Sequence, residues 1–238
     1  MAIKKDIFRR AEALLGPDAM ELIGQQRIIV FGVGGVGSWC AEALVRTGVR
    51  KLTIVDFDRV DATNVNRQLM ATSETVGQVK VEALKARLQS IHPDVEITAL
   101  EKTFTEDTAS DFQLDTYNYI IDAIDSLKDK ALLILTACQS KGKLFSSMGA
   151  ALKLDPTKIQ VAEFWKVKGD PLARALRNRF KKEQRFPKRK FKCVFSDETI
   201  QAAGEGKGSL VHITAVFGMT LAGLVIQDIA KRVFDKSV

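Results

Sequence analysis

The sequence predicts an α/β fold with a doubly wound, largely parallel sheet and a C-terminal antiparallel extension. Three observations carry that expectation. Apolar runs of strand length alternate with helix-length stretches whose apolar residues recur three and four positions apart. A glycine-rich run, Val30-Phe31-Gly32-Val33-Gly34-Gly35-Val36-Gly37-Ser38, falls where one such strand would turn into a helix. Hydrophobic residues make up 46% of the 238 positions, ample for one large core of this kind.

Residues 3–24 read as helical, with a break at Gly16-Pro17 and with Asp18 as the cap of a second helix through Leu22. Arg27–Phe31 reads as a buried strand, and Trp39–Arg46 as a helix closed by Gly48. Lys51–Val55 is a second buried strand that ends on Asp56. Strand, glycine loop, helix, strand and terminal acid are the parts of a Rossmann-like nucleotide-binding unit. Glycines let the backbone turn tightly near phosphates, and the helix N-terminus offers unpaired N–H groups and a positive dipole end.

A polar stretch from Phe57 to Gly77 follows, then a helix over Gln78–Ile91 that stops before Pro93. Strands are expected at Glu96–Leu100 and Tyr119–Ala123, with a helix between Ser126 and Ser140. After Lys143 the pattern changes. Leu144–Ser147 reads as a strand, and Leu152–Leu154 with Ile159–Val161 as a hairpin around the turn Asp155–Lys158. Asp170-Pro171 marks a capped helix start with Leu172, Leu176 and Phe180 on one face. Gln201–Ser209 reads as a mobile glycine-rich segment. Leu210–Ile226 is apolar but interrupted by His212, Thr214, Gly218, Thr220 and Gly223. A span needs about 20 strongly apolar residues, so a buried helix is expected and no membrane span. The whole reads as one domain over 1–238, with N-terminal helices (1–24), a nucleotide-binding core (27–143) and an extension (144–238).

Charge is uneven. Of 36 Lys/Arg, ten lie between Arg174 and Lys192 beside one acid, Glu183; the rest of the chain carries 26 basic and 28 acidic residues. Such a block is either a solvated face or a contact for a polyanion. Phe186 and Phe191 flank Pro187 there, so the segment 186–191 reads as an exposed loop whose aromatics pack or stack on a base. Cys40, Cys138 and Cys193 are odd in number and lack any CxxC pair, which disfavours disulfides and zinc and fits a reducing cytoplasm. The opening residues show no secretion signal. The cations before Cys193 would lower its thiol pKa, yet a lone cysteine there reads first as a small packing residue.

Around the nucleotide unit the chain carries more than a hydride-transfer enzyme needs. Asp56-Phe57-Asp58-Arg59-Val60 leads into Asn64-Val65-Asn66-Arg67-Gln68, then Gly77-Gln78-Val79-Lys80 and Asp122-Ala123-Ile124-Asp125. Two cations and an acid pair suit ATP used as a reagent, because charge builds on phosphate and departing pyrophosphate when a carboxylate attacks. Arg67, Lys80 and a magnesium ion on Asp125 would stabilise that charge. Asp125 can equally cap the helix that begins near Ser126, whereas Asp122 reads as structural.

These ordered motifs resemble the ubiquitin-activating-enzyme-like adenylating superfamily, whose bacterial members include MoeB and ThiF. On that pattern Asp56 binds ribose, with Gly32, Gly34, Gly35, Gly37, Asp58 and Gln68 also lining the nucleotide. Asn64, Arg67 and Lys80 hold the phosphates, and Asp125 binds magnesium. The resemblance also implies a homodimer in which an N-terminal arginine reaches the partner's site; Arg10 matches best, with Arg9 adjacent. Gly34–Gly48, Ile121–Ser126, Leu154–Ile159, Asp170–Ala173 and Cys193–Glu198 resemble the tRNA threonylcarbamoyladenosine dehydratase branch. That branch implies ATP-dependent dehydration of a tRNA modification, with tRNA as partner, the basic block as its contact and a sulfur-transfer protein as a further candidate partner. The alternatives are an activator of a small ubiquitin-like sulfur carrier, whose four-cysteine zinc site three scattered cysteines cannot build, and an idle nucleotide-binding RNA scaffold. An oxidoreductase using NAD ranks behind both.

Overall fold

A computed structural model describes residues 7–201, 203–204 and 206–235. Seven strands form one sheet: β1 (Arg27–Phe31), β2 (Lys51–Val55), β3 (Glu96–Leu100), β4 (Tyr119–Asp122), β5 (Lys143–Ser147), β6 (Ile159–Glu163) and β7 (Lys192–Ser196). Their order is β3-β2-β1-β4-β5-β7-β6, and all neighbours are parallel except β6 against β7. The helices are α1 (Arg9–Leu15), α2 (Pro17–Gln25), α3 (Gly37–Arg46), α4 (Lys80–Ile91), α5 (Leu127–Ala137), α6 (Pro171–Glu183) and α7 (Val211–Phe234).

Helices cover both faces, as the doubly wound expectation requires. One core joins Ile28, Val30 and Ile54 of the strands to Leu44 of α3, Leu84 of α4 and Phe217 of α7. The other joins Ile29, Phe31 and Ile120 to Leu133 of α5 and to Leu176 and Phe180 of α6. Alternate residues of β1 thus enter opposite cores, which is why its run is apolar throughout. On the second face Phe104 and Phe112, from the connection between β3 and β4, meet Phe31 edge-on at 5.2 and 5.1 Å. Chain order reverses between β1 and β4, the kind of switch point where open α/β sheets bind ligands.

The long α7 is apolar enough to cross a membrane by length and composition alone. Its buried face, with Ile213, Phe217, Leu221 and Val225, instead packs inside the first core. Gly218 makes this possible. A Cβ there would lie 2.4 Å from the Val36 carbonyl oxygen and 2.8 Å from the Cys40 nitrogen, so α7 crosses the start of α3 at backbone contact.

Several sequence expectations are corrected. The helix break falls at Gly16-Pro17 as expected, but Gly16 rather than Asp18 holds the cap position, with Pro17 as first residue of α2. Residues 3–6 of the predicted first helix lie outside the described residues. Leu152–Leu154 forms no hairpin with Ile159–Val161. The buried Lys153 ammonium donates to the Ser196 and Glu198 carbonyls, and the Glu198 carboxylate accepts from the Leu154 and Asp155 amides. That segment is therefore docked on the end of β7, and β6 pairs with β7 instead. Strand β7 itself was not anticipated. It lies parallel to β5, so only the β6 edge of the C-terminal extension is antiparallel. Where described, Gln201–Ser209 forms no regular element, and its end is tied by Leu152 N to Gly208 O and by Asn66 Nδ2 to Ser209 O.

Candidate functional site

The site grows from the turn between β1 and α3. Gly32 leaves the strand with φ 79° and donates to the Val55 carbonyl at 2.8 Å. A Cβ on Gly32 would meet the Ala123 carbonyl oxygen at 2.8 Å, and one on Gly37 would lie 1.8 Å from the Gly32 oxygen. No other side chain fits either position, so the loop is folded tightly against the end of β4. Gly34 faces the Gln68 amide nitrogen and Gly35 faces Thr214 of α7. The loop thereby leads its amides into the first turn of α3, the arrangement that favours an anion.

Asp56 closes the floor. Its carboxylate accepts from Val33 N at 2.8 Å and Asp58 N at 3.0 Å, tying the tip of β2 to the glycine loop. Burial raises its pKa, against the opposing pull of those amides and of the Lys80 charge. Asp58–Val60 then runs antiparallel to Gly77–Lys80: Val60 N meets Gln78 O, Gly77 N meets Val60 O, and Lys80 N meets Asp58 O. That short ribbon sets Lys80 at the first turn of α4. Its side chain is buried, and its ammonium donates to Asp58 Oδ2 at 2.7 Å.

The segment 64–68 is fastened from the other side. Trp39 Nε1 donates to the Arg67 carbonyl, and the Ser38 hydroxyl, itself bonded to Gly34 O, accepts from Leu69 N. The Arg67 guanidinium rests on Thr63 O at 2.8 Å and on Asn66 Oδ1 at 2.9 Å. Asn64 is buried and its side-chain oxygen accepts from Asp61 N, so in this state it shapes the turn. Gln68 is buried with its Oε1 unpartnered among the described residues, an acceptor that a bound donor would satisfy.

Asp125 is exposed just beyond β4 and has no hydrogen-bond partner among the described residues. The helix cap expected of it is taken by Ser126, whose hydroxyl accepts from Asp129 N. A pair the sequence reading assigned only in part holds this loop. Asp122 and Lys130 are both fully buried and 2.8 Å apart; Ser146 donates to Asp122 at 2.6 Å, and Lys130 also donates to the Ile124 carbonyl at 2.8 Å. The signal for Lys130 lay in Asp122, an acid inside an apolar strand that needed a buried counter-charge. No group of three or more His, Cys, Asp or Glu among the described residues is placed to hold a metal ion. One accessible carboxylate beside a glycine loop nevertheless fits magnesium, which proteins commonly hold through one or two carboxylates and the substrate's phosphates.

Arg10 is not part of this cluster. It is exposed on α1, whose neighbour Phe8 packs edge-on against His92 at the far end of α4 from Lys80. Twelve residues of helix, about 18 Å, separate that end from the site. Cys193 is wholly buried, and burial pushes its thiol pKa well up, contrary to the lowering its basic neighbours suggested.

The ThiF family model matches residues 8–236. The chain belongs to the ThiF family. It is 38% identical over 249 aligned positions to the tRNA threonylcarbamoyladenosine dehydratase of Bacillus subtilis, covering 97% of both chains. It is 40% identical to that of Escherichia coli, over 89% of this chain and 88% of the other. Among solved structures, the E. coli dehydratase TcdA in complex with AMP superposes with TM-score 0.90 at 36% identity, covering 96% and 95% of the two chains. The complex of that protein with ATP gives TM-score 0.89 at 35% identity. The resemblance read from the motifs is borne out for both superfamily and branch.

Proposed function

We propose that this chain is an ATP-dependent tRNA threonylcarbamoyladenosine dehydratase. The observation that carries the reading is the near-full-length likeness to such dehydratases, over a fold whose nucleotide-bound counterpart superposes closely. The carboxylate of the threonylcarbamoyl group attacks the α-phosphate of ATP and pyrophosphate leaves. A neighbouring group of the same modification then attacks the acyl-adenylate carbon, closing a ring and expelling AMP. Attack within one tethered group has high effective molarity, so no protein nucleophile is needed.

The residues divide the work. Glycine-loop amides and the α3 N-terminus receive phosphate oxygens, and the free lone pairs of Asp56 accept from ribose hydroxyls. Lys80 and Arg67 move from their present partners, Asp58 and the Thr63 carbonyl, towards the charge that develops on the phosphates. Gln68 offers its unpartnered oxygen to the nucleotide. Asp125 would hold magnesium, which adds positive charge beside the departing pyrophosphate. Asp122 and Lys130 keep the Asp125 loop in place.

The basic segment is the tRNA contact in this reading, on a narrower set of residues than the sequence indicated. Arg189 is committed elsewhere: its guanidinium donates to the Ala137, Cys138 and Gly142 carbonyls and closes the end of α5. Arg177 donates to the Phe164 and Val167 carbonyls. Phe191 is buried in the core. Arg174, Lys181, Lys182, Arg185, Lys188 and Lys190 remain exposed for phosphates. A homodimer, a cytoplasmic setting and a sulfur-transfer protein partner complete the proposal. The dimer is supported by α1, which has no buried residue, exposes 79% of Leu14 and carries Arg10 outward.

The test is direct. The purified chain, given ATP, magnesium and tRNA bearing threonylcarbamoyladenosine, should yield a nucleoside lighter by one water, with one AMP formed per conversion. Unchanged nucleoside, or conversion without ATP, overturns the reading.

A further inference from the structure

We propose that Trp165 and Phe186 form a platform on which an unpaired base of the RNA substrate stacks. The proposal rests on the tRNA reading above and adds a base-recognition site to it. Both rings are large, apolar and exposed, Trp165 at 40% and Phe186 at 47%, and their centroids lie 6.3 Å apart at an interplanar angle of 43°. They are tilted, not stacked on one another, so neither face is spent on the other.

Folding does not account for their exposure. The core beneath is already filled by Phe164, which stacks on Phe191 at 5.0 Å and meets Phe180 edge-on at 5.9 Å. Trp165 and Phe164 meet edge to face at 5.1 Å, so the indole is braced by the core while staying 40% exposed. The turn that carries it, Phe164–Lys166, is held by the Arg177 guanidinium on the Phe164 and Val167 carbonyls. Pro187 restricts the backbone just after Phe186. A pre-ordered ring loses little entropy when a base covers it.

The surroundings select the ligand. Residues 164–192 hold twelve Lys/Arg and two acids. Lys166, Lys168, Arg185 and Lys188, chain neighbours of the two rings, are exposed. Of these, Arg185 has an acid within 4 Å, Glu106 at 3.9 Å. Protein interfaces deplete charge at their centre, whereas proteins that grip single-stranded RNA combine cations for the backbone with aromatic faces for the bases. The platform lies at the far end of α6 from Asp170, which itself touches Gly149 beyond the end of β5. Thirteen helical residues, about 20 Å, therefore separate Phe186 from the reaction edge of the sheet, and Trp165 packs beside it. The platform should strengthen RNA binding away from the chemistry.

The experiment compares a hairpin RNA with a seven-nucleotide loop against a blunt duplex carrying equally many phosphates. Trp165→Ala and Phe186→Ala should each weaken hairpin binding about tenfold, within the range for one base stacked on an aromatic ring. Duplex binding and the log–log salt slope should stay at parental values, because stacking releases no counterions. Lys182→Ala with Lys188→Ala should do the converse and make the slope shallower. Trp165→Phe should keep most of the affinity, and an ATP-induced rise in Tm in every variant reports an intact fold. Parental hairpin affinity in the Trp165→Ala, Phe186→Ala double variant overturns the platform and leaves the tRNA reading standing. So does an equal loss on the duplex. A change of oligomeric state without a change in RNA binding would assign the rings to a second copy instead. No RNA binding by the parent chain would remove the tRNA reading itself, and the platform with it.

Discussion

Lys80 shows how one side chain can be held ready for a ligand. Its ammonium is buried against Asp58, whose own carboxylate is half exposed. The pair is asymmetric: Asp58 can be hydrated when Lys80 turns away, while Lys80 has little water to lose. Moving that cation to a phosphate is therefore inexpensive, and the stronger charge of the transition state draws it. Arg67 sits on a carbonyl and an amide oxygen, weaker partners than a phosphate. Lys80→Ala and Arg67→Ala should each lower kcat/KM at least about tenfold, since one transition-state contact is typically worth about 1.4 kcal/mol or more. The measurement is AMP formed on modified tRNA, and a near-parental rate in either variant removes that residue from the proposed site. Both were legible in the sequence because their motifs fix them next to a glycine loop. Lys130 was not, because its partner Asp122 is reached only when α5 folds back across the end of β4.

Elements were legible wherever a periodic run ended on clear punctuation. Strands β1 to β5 and helices α3 to α6 fall within a few residues of expectation for that reason. Strand β7 escaped because it begins on Lys192, inside a run of cations that reads as loop, and is recognisable only by its neighbours β5 and β6. The false hairpin came from a genuine turn, Asp155–Lys158, whose preceding residues are captured by Lys153 and Glu198 in contacts no local pattern reveals. The register of α3 on α4 is likewise set by a long-range group. Glu42, nearly buried, accepts from Arg46 Nε at 2.7 Å and from Arg87 Nε at 2.6 Å, so it clamps two helices of the nucleotide unit together. Burial alone would raise its pKa, but the two guanidinium groups outweigh it and hold the carboxyl below its ordinary value of 4.5. A depressed carboxylate contributes stability that is fully present above the unfolded value and lost as pH falls through the folded one. Glu42→Gln should therefore cost about 2 kcal/mol at pH 7, the scale of hydrogen bonds to a charged group. That cost should shrink progressively once the pH drops below 4.5, the carboxyl's ordinary value. Urea unfolding at several pH values checks it; an equal difference at pH 7 and at acid pH would mean the clamp works by shape and not by charge.

For the whole molecule, α1 is the helix least covered by its own chain. It is seven residues long and buries none of them, while Leu14 and Arg10, one turn apart, both face outward. So short a helix is marginal in water without packing; Leu15 anchors it on the first core, and the exposed Leu14 side is the one that the proposed second copy would cover. Within one chain, α1 lies at the Phe8–His92 end of α4, a helix length from Lys80. Arg10 therefore has no route to its own glycine loop without rebuilding the N-terminus. A closed two-fold dimer would place the same patch of each chain on the other reciprocally, which lets each Arg10 serve the opposite site. That arrangement makes a prediction no monomer can imitate. Arg10→Ala and Lys80→Ala should each be nearly inactive as homodimers. In a mixed dimer, the site on the Arg10→Ala chain keeps its own Lys80 and receives Arg10 from its partner, whereas the other site lacks both. Random reassortment of equal amounts should restore about a quarter of the parental activity, since half the dimers are mixed and one of their two sites is whole. Arg9→Ala, tested in the same way, separates the two adjacent arginines. If Arg10 worked within its own chain, every site in the mixture would lack one essential group and no activity would return. A fully active monomer in light scattering would count equally against the shared site.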